Sequence, residues 1–173
     1  MILSGKEIIK QVKEGNIHIS NFSEENVNPN SYNVTLANKL LVYEDDLLDM
    51  KKDNKFREIT IPEEGLILEP GKLYLGRTVE KTETDAFVPM LEGRSSIGRL
   101  GLEIHVTAGF GDIGFAGFWT LELAVVQPLK IYPNVEIGQV YYHTILGDYD
   151  LYNSNKYQHN EGIQTSQLYK ELQ

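Results

Sequence analysis

One carboxylate interrupts an otherwise apolar alternating run, "FWTLELAV", Phe118 to Val125. A strand period of two puts Phe118, Thr120, Glu122 and Ala124 on one face. Trp119, Leu121, Leu123 and Val125 lie on the other, a wholly apolar face that must be the packed one. An ionised carboxylate buried without a partner costs several kcal/mol or more. Glu122 is therefore either paired in the core or faces a cavity, where a carboxylate can move protons.

A second stretch, "EGRSSIGRLG" from Glu92 to Gly101, gathers Arg94, Ser95, Ser96 and Arg99 within six residues. Two guanidinium groups and two hydroxyls beside Gly93 and Gly98 supply the donors that a chain of phosphates requires. The alternative is a surface loop whose arginines form ion pairs in an acidic protein, and composition weighs the two evenly. Asp112, within the glycine run Gly109, Gly111, Gly114 and Gly117, is a second acid of interest. It serves equally well as an Asx-turn residue. Gln139 in "EIGQVYY" and the Lys156–Tyr157 pair are individually weak signals. His105 alternates with Glu103 and Thr107 and is expected to be structural. His18, His143 and His159 have no partner in the sequence and carry no assignment.

The elements that must position these residues are mostly strands. Leu3 to Glu14 is expected as a helix, with Ser4 as cap, Glu7 three residues on, an Ile8, Ile9, Val12 stripe, and Gly15 as stop. "NIHISNF" is expected as a short strand. "SYNVTLANKLLVYEDD" alternates, with Tyr32, Val34 and Leu36 on one face. Lys51 to Arg57 is expected as an exposed loop. Short strands follow, separated by turn signals such as "PEEG", "EPGK" and "YPNVEIG". This is a mainly β single domain over residues 1–173 with one helix at its start. Residues 153–173 form a polar tail that is either frayed or folded over a bound ligand.

Composition narrows the chemistry. Cysteine is absent, which removes disulfides, thiolate nucleophiles and cysteine zinc sites. The four histidines have no ligand spacing, so a metal held mainly by protein groups, zinc above all, is not expected. A net charge of −9 disfavours a nucleic acid polymer as partner but not a small phosphorylated ligand. No apolar run approaches the ~20 residues of a membrane helix, and the acids and lysines of "MILSGKEIIK" are unlike a signal peptide. A cytoplasmic protein without membrane attachment is expected.

Leu91 to Leu123, "LEGRSSIGRLGLEIHVTAGFGDIGFAGFWTLEL", closely resembles the core of the dCTP deaminases, members of the trimeric dUTPase superfamily. "MILSGKEII", "VNPNSYNVTL", "YPNVEIGQV" and "KYQHNEG" fall in the family's order, so the resemblance covers essentially the whole chain. It implies a distorted β-barrel or jelly-roll of the dUTPase-like type, assembled as a homotrimer. Active sites would lie between subunits, with "RSSIGR" of one chain meeting Glu122 of its neighbour and the tail closing over the nucleotide. Glu122 matches the catalytic general base and acid. Ser95, Arg99 and the backbone around Ala108 would hold the attacking water and stabilise the tetrahedral intermediate. Asp112 would contact the deoxyribose. Arg94, Ser95, Ser96, Gln139 and Lys156 would hold the triphosphate with Tyr149 and Tyr157 nearby, and Mg²⁺ would ride on the phosphates.

The resemblance also bears on the product. Deaminase-only relatives carry histidine and arginine after the T-A pair, whereas those that also release pyrophosphate carry glycine and an aromatic, as here in Gly109-Phe110. A small residue at 109 would leave room for water near the α-phosphate, so dUMP is favoured over dUTP as product. There are three departures. Asn33 replaces an aspartate and Gly111 an isoleucine, both expected to concern packing. Asn160 replaces a glutamine and is one methylene short for a substrate contact. A plain dUTPase would need no acid at 122. An inactive nucleotide-binding regulator is disfavoured by the intact Glu122, and a bare structural protein leaves Arg94 to Arg99 unexplained. Feedback by dTTP is consistent with the resemblance.

Overall fold

The structure, a computed structural model, describes residues 1–105, 107–154 and 156–172. Val106, inside the "HVTAGF" motif, Asn155 and Gln173 lie outside the described residues.

Helix α1 spans Gly5–Lys13, with the Ser4 hydroxyl accepting from the Glu7 amide as a cap. It is shorter than expected because the residues before it run as a strand edge: Leu3 donates to the Tyr142 carbonyl and Ile2 bridges to His143. Ile8 is fully buried, and Val12 packs against the same core.

Eleven strands follow among the described residues: β1 (His18–Ile19), β2 (Tyr32–Thr35), β3 (Lys39–Tyr43), β4 (Phe56–Thr60), β5 (Leu66–Leu68), β6 (Tyr74–Glu83), β7 (Val88–Gly93), β8 (Leu102–Ile104), β9 (Ala116–Val125), β10 (Leu129–Ile131) and β11 (Glu136–His143). The one-turn helix α2 (Ser95–Gly98) lies between β7 and β8. β4 corrects the expected Lys51 to Arg57 loop, for Phe56 and Arg57 already pair with Tyr43 and Val42. β4 is an edge strand with mostly exposed residues, so it lacks the apolar alternation that marks a strand in sequence. Similarly, "YPNVEIG" is a turn only as far as Asn134, at φ +60°, and Glu136 belongs to β11.

The strands make three sheets. The largest has the order β4-β3-β6-β9-β8, with β1 pairing the far end of β6; β2-β11-β7 and β10-β5 are the others. All named pairings are antiparallel. The architecture is mainly β, but the described strands close no barrel. The expected distorted barrel is corrected here because β4 and β8 end the large sheet without pairing to each other.

β9 reads as its sequence predicts. Trp119, Leu121, Leu123 and Val125 are buried, and the Glu122 face is half-buried. Each fully buried leucine contributes about 1.5–3 kcal/mol from burial alone. Between Arg77 and Lys81 the β6–β9 register shifts, and the Thr78 hydroxyl takes over the ladder. It accepts from the Trp119 amide at 3.1 Å and donates to the Glu80 carbonyl at 2.7 Å. The indole N–H of Trp119 donates to Thr82 Oγ1 at 2.9 Å, so this large side chain is buried with its polar atom satisfied.

The Tyr142 hydroxyl is wholly buried and has no hydrogen-bond partner among the described residues, and burial pushes its phenol pKa up. An unsatisfied buried hydroxyl costs about 1–3 kcal/mol. Tyr142→Phe is therefore expected to raise Tm by a few degrees in thermal unfolding. A lowered Tm would mean that the hydroxyl is satisfied.

Candidate active site

A cavity of about 530 Å³ opens on the mixed face of β9. Phe118, Thr120 and Glu122 form its floor. The loop from Ala108 to Asp112 makes one wall; the tail, through Tyr157, Asn160 and Gln164 to Ser166, makes the opposite one. The size lies within the ~300–1,000 Å³ usual for small-molecule sites.

Glu122 is held through its backbone. His105 has φ +52°, which turns the chain out of the strand geometry of β8 at this point. Its amide still donates to the Glu122 carbonyl at 3.1 Å. The return bond comes from the side chain: His105 Nδ1 accepts from the Glu122 amide at 3.3 Å. An imidazole thus stands in for a strand carbonyl. His105, expected to be structural, makes this backbone contact and also lines the cavity. Nδ1 lies 3.4 Å from Glu122 Oε2, and the carboxylate is 38% exposed, directed into the cavity rather than packed in the core. Burial of Glu122 is thus only partial. Arg99, expected to hold the attacking water there, does not line the cavity.

Asp112 begins a tight turn in which its carbonyl accepts from the Phe115 amide at 3.2 Å. Gly114, at φ +86°, supplies the left-handed third position. The turn is made by the backbone, and the Asp112 carboxylate is left at the cavity wall with no hydrogen bond among the described residues, which removes the Asx-turn reading. Gly111 concerns packing, as expected: a Cβ there would come within 2.4 Å of the Trp119 ring.

The tail is not frayed. Gln158 and Asn160 use their side-chain amides as a strand would use its backbone. Gln158 Oε1 accepts from the Ala116 amide at 3.0 Å, and its Nε2 donates to the Gly114 carbonyl at 2.8 Å. Asn160 Oδ1 accepts from the Phe118 amide at 2.9 Å, and Nδ2 donates to the carbonyls of Phe118 and Tyr157. Farther on, the Gln164 amide donates to Thr120 and that of Ser166 to the Tyr43 hydroxyl. Asn160 lines the cavity, but its amide is committed to docking the tail on β9.

One chain thus brings together Glu122, Ala108, Asp112, Tyr157 and Asn160. The other candidates lie elsewhere. Arg94 is half-buried beside β11, its Nη1 paired with Glu136 Oε2 at 2.7 Å, and Gln139 sits on β11 accepting from the Ser31 hydroxyl at 3.0 Å. Ser95, Ser96 and Arg99 lie on or just after α2, with Ser95, Ser96 and Arg99 exposed. The Tyr149 hydroxyl donates to the Asp85 carbonyl, and the Lys156 ammonium pairs with Glu171. Sequence reasoning missed Tyr43, Gln164 and Ser166 as cavity residues. They come from segments with no chemical motif, and only the folded path of the tail brings them in.

Residues 2–145 match the family described as dCTP deaminase-like. Over 173 residues the chain is 68% identical to a protein of Clostridium botulinum (strain Alaska E43 / Type E3) named "dCTP deaminase, dUMP-forming", covering 100% of this chain and 99% of that one. A protein of Hathewaya histolytica with the same name is 65% identical, covering 100% of both. Among solved structures, the 2'-deoxycytidine 5'-triphosphate deaminase of Agrobacterium tumefaciens aligns with TM-score 0.64 at 16% identity, over 83% of this chain and 47% of that one. That likeness shows the fold.

Proposed function

From the premise that this chain belongs to the dCTP deaminase-like family, we infer that it converts dCTP to dUMP. Two waters are consumed: one replaces the amino group of cytosine and releases ammonia, the other cleaves the anhydride and releases pyrophosphate. The observation that carries this reading is the Glu122 carboxylate, directed from the middle of β9 into a cavity that Ala108 and Asp112 also line.

In the proposed mechanism Glu122 takes a proton from a water placed at C4 of the cytosine. It delivers protons to N3 and then to the departing ammonia. His105 fixes the strand backbone on which the carboxylate turns, so the base is held at one depth in the cavity. Asp112 is placed to accept from a sugar hydroxyl at the rim. Ser95, Arg99 and the Ala108 backbone hold the water and the developing oxyanion.

The reading requires a second copy of the chain. Arg94, Ser95, Ser96 and Arg99 do not line the cavity that holds Glu122, which supports a homotrimer with sites between subunits. Arg94, Ser95, Ser96, Gln139 and Lys156 then bind the triphosphate, with Tyr149 and Tyr157 beside it. Mg²⁺ travels with the nucleotide on phosphate oxygens and water. Glu136 is paired with the Arg94 guanidinium itself, and Glu92, two residues before Arg94, accepts from the Tyr141 hydroxyl. Tail closure over the nucleotide is favoured by the way Gln158 and Asn160 already dock it at the cavity edge.

Product analysis tests the whole reading. With dCTP and Mg²⁺, chromatography is expected to show dUMP and pyrophosphate without accumulation of dUTP. Accumulating dUTP would leave deamination and remove the second hydrolysis. Unchanged dCTP would sink both.

A further inference from the structure

The pairing of β11 with β2 is irregular, and the irregularity has a chemical result. Glu136 pairs with Thr35, Gly138 with Val34, and Gln139 with Asn33, so one extra residue bulges from β11 between Glu136 and Gly138. Three residues apart on a regular strand, Glu136 and Gln139 would face opposite ways. The bulge puts both on the face of Asn33 and Thr35.

A chain of polar contacts runs across that face. Asn28 Nδ2 donates to Asn33 Oδ1 at 2.7 Å. Asn33, 6% exposed, donates through Nδ2 to Glu136 Oε2 at 2.9 Å. The same oxygen holds Arg94 Nη1 at 2.7 Å, and Nη1 also donates to the Glu136 carbonyl at 3.0 Å. Both contacts fall on one nitrogen; Nη2 and Nε make no hydrogen bond among the described residues. A parallel branch fixes Gln139: Asn28 Nδ2 reaches Ser31 Oγ at 3.1 Å, and Ser31 Oγ donates to Gln139 Oε1. With its oxygen occupied, the Gln139 amide presents its N–H groups. The network thus leaves a guanidinium edge and an amide, both donors, on the same strand face.

We propose that Asn33 and Glu136 are positioning residues for triphosphate binding, acting through Arg94, which the carboxylate holds by one nitrogen while its other donors stay available for phosphate. This rests on the reading above that Arg94 binds the triphosphate. It also changes the meaning of the asparagine at 33. The position does not concern packing; its amide N–H is what lets a carboxylate stand at 136. An aspartate in its place would set two carboxylates against each other at the 2.9 Å contact.

The test is a swap of donor and acceptor, read as KM and kcat for dCTP in the full-length chain. Asn33→Asp is expected to raise KM about tenfold while kcat stays within about twofold, the pattern of lost uniform binding. Adding Glu136→Gln gives an amide that donates to the new carboxylate and accepts from Arg94. KM is expected to return to within about threefold of the starting protein. A wild-type KM in Asn33→Asp, or a raised KM that Glu136→Gln does not rescue, would overturn the positioning role. Arg94→Ala, measured in parallel, separates the two ideas and is expected to raise KM at least about tenfold. An unchanged KM there would overturn the triphosphate reading and the inference together. A raised KM there beside an unaffected Asn33→Asp would overturn the inference alone.

Discussion

Glu122→Gln is expected to lower kcat for deamination by at least about 10²-fold, within the ~10²–10⁴-fold range of a positioned acid–base group. The substitution preserves shape and leaves the backbone pairing with His105 in place, because that pairing uses the amide and carbonyl of residue 122 and not its side chain. What the substitution removes is the capacity proposed for this carboxylate, to accept a proton from water and to return one to N3 and to ammonia. Binding of dCTP should remain measurable by calorimetry, since the residues proposed to hold the triphosphate are others. A variant that kept near-wild-type turnover would remove Glu122 as the general base. A variant that lost binding and turnover together would make Glu122 a binding residue instead.

The legible part of this site was the part written in strand periodicity. Alternation in "FWTLELAV" was enough to put Glu122 on the half-open face of β9 and Trp119 on the packed one, because side-chain direction in a strand follows from position alone. Ser4 as helix cap and the burial of Tyr32, Val34 and Leu36 were legible for the same local reasons. Glu136 was not, although it stands three residues from Gln139. A bulge adds one residue to the count, and nothing in "YPNVEIGQV" signals which residue will be extra. The tail was ambiguous because its docking groups are side-chain amides with no periodic pattern. Gln158 and Asn160 look like ordinary polar residues until β9 offers them an unpaired backbone edge. β4 was hidden by exposure: an edge strand with few buried residues has no hydrophobic pattern to read. The sequence resemblance supplied roles for individual residues, but the paths by which they meet depend on contacts between distant segments.

Gly109→Ala is expected to destabilise the protein by about 2–3 kcal/mol and to lower kcat/KM for dCTP at least about tenfold. A Cβ at this position would lie 2.2 Å from the Leu91 carbonyl oxygen, a backbone atom of β7 that cannot turn aside as a side chain can. Here the loop lies against β7 as a short extra strand. The Leu91 amide donates to the Gly109 carbonyl at 2.8 Å, Phe110 bridges to Met90, and the Gly111 amide donates to the Pro89 carbonyl at 2.9 Å. A methyl group at 109 would lift the loop from β7 and carry Ala108 and Asp112 out of the cavity wall. Thermal unfolding should show Tm lowered by roughly 5–10 °C. An unchanged Tm would mean that the loop does not approach β7 this closely. The same geometry revises the reason for glycine at 109. In sequence it suggests space for a water near the α-phosphate; in the fold, the missing side chain would point at β7 and not into the cavity. Gly109→His is therefore expected to lose both hydrolyses together. A variant that still deaminated dCTP but accumulated dUTP would restore the explanation based on space for water.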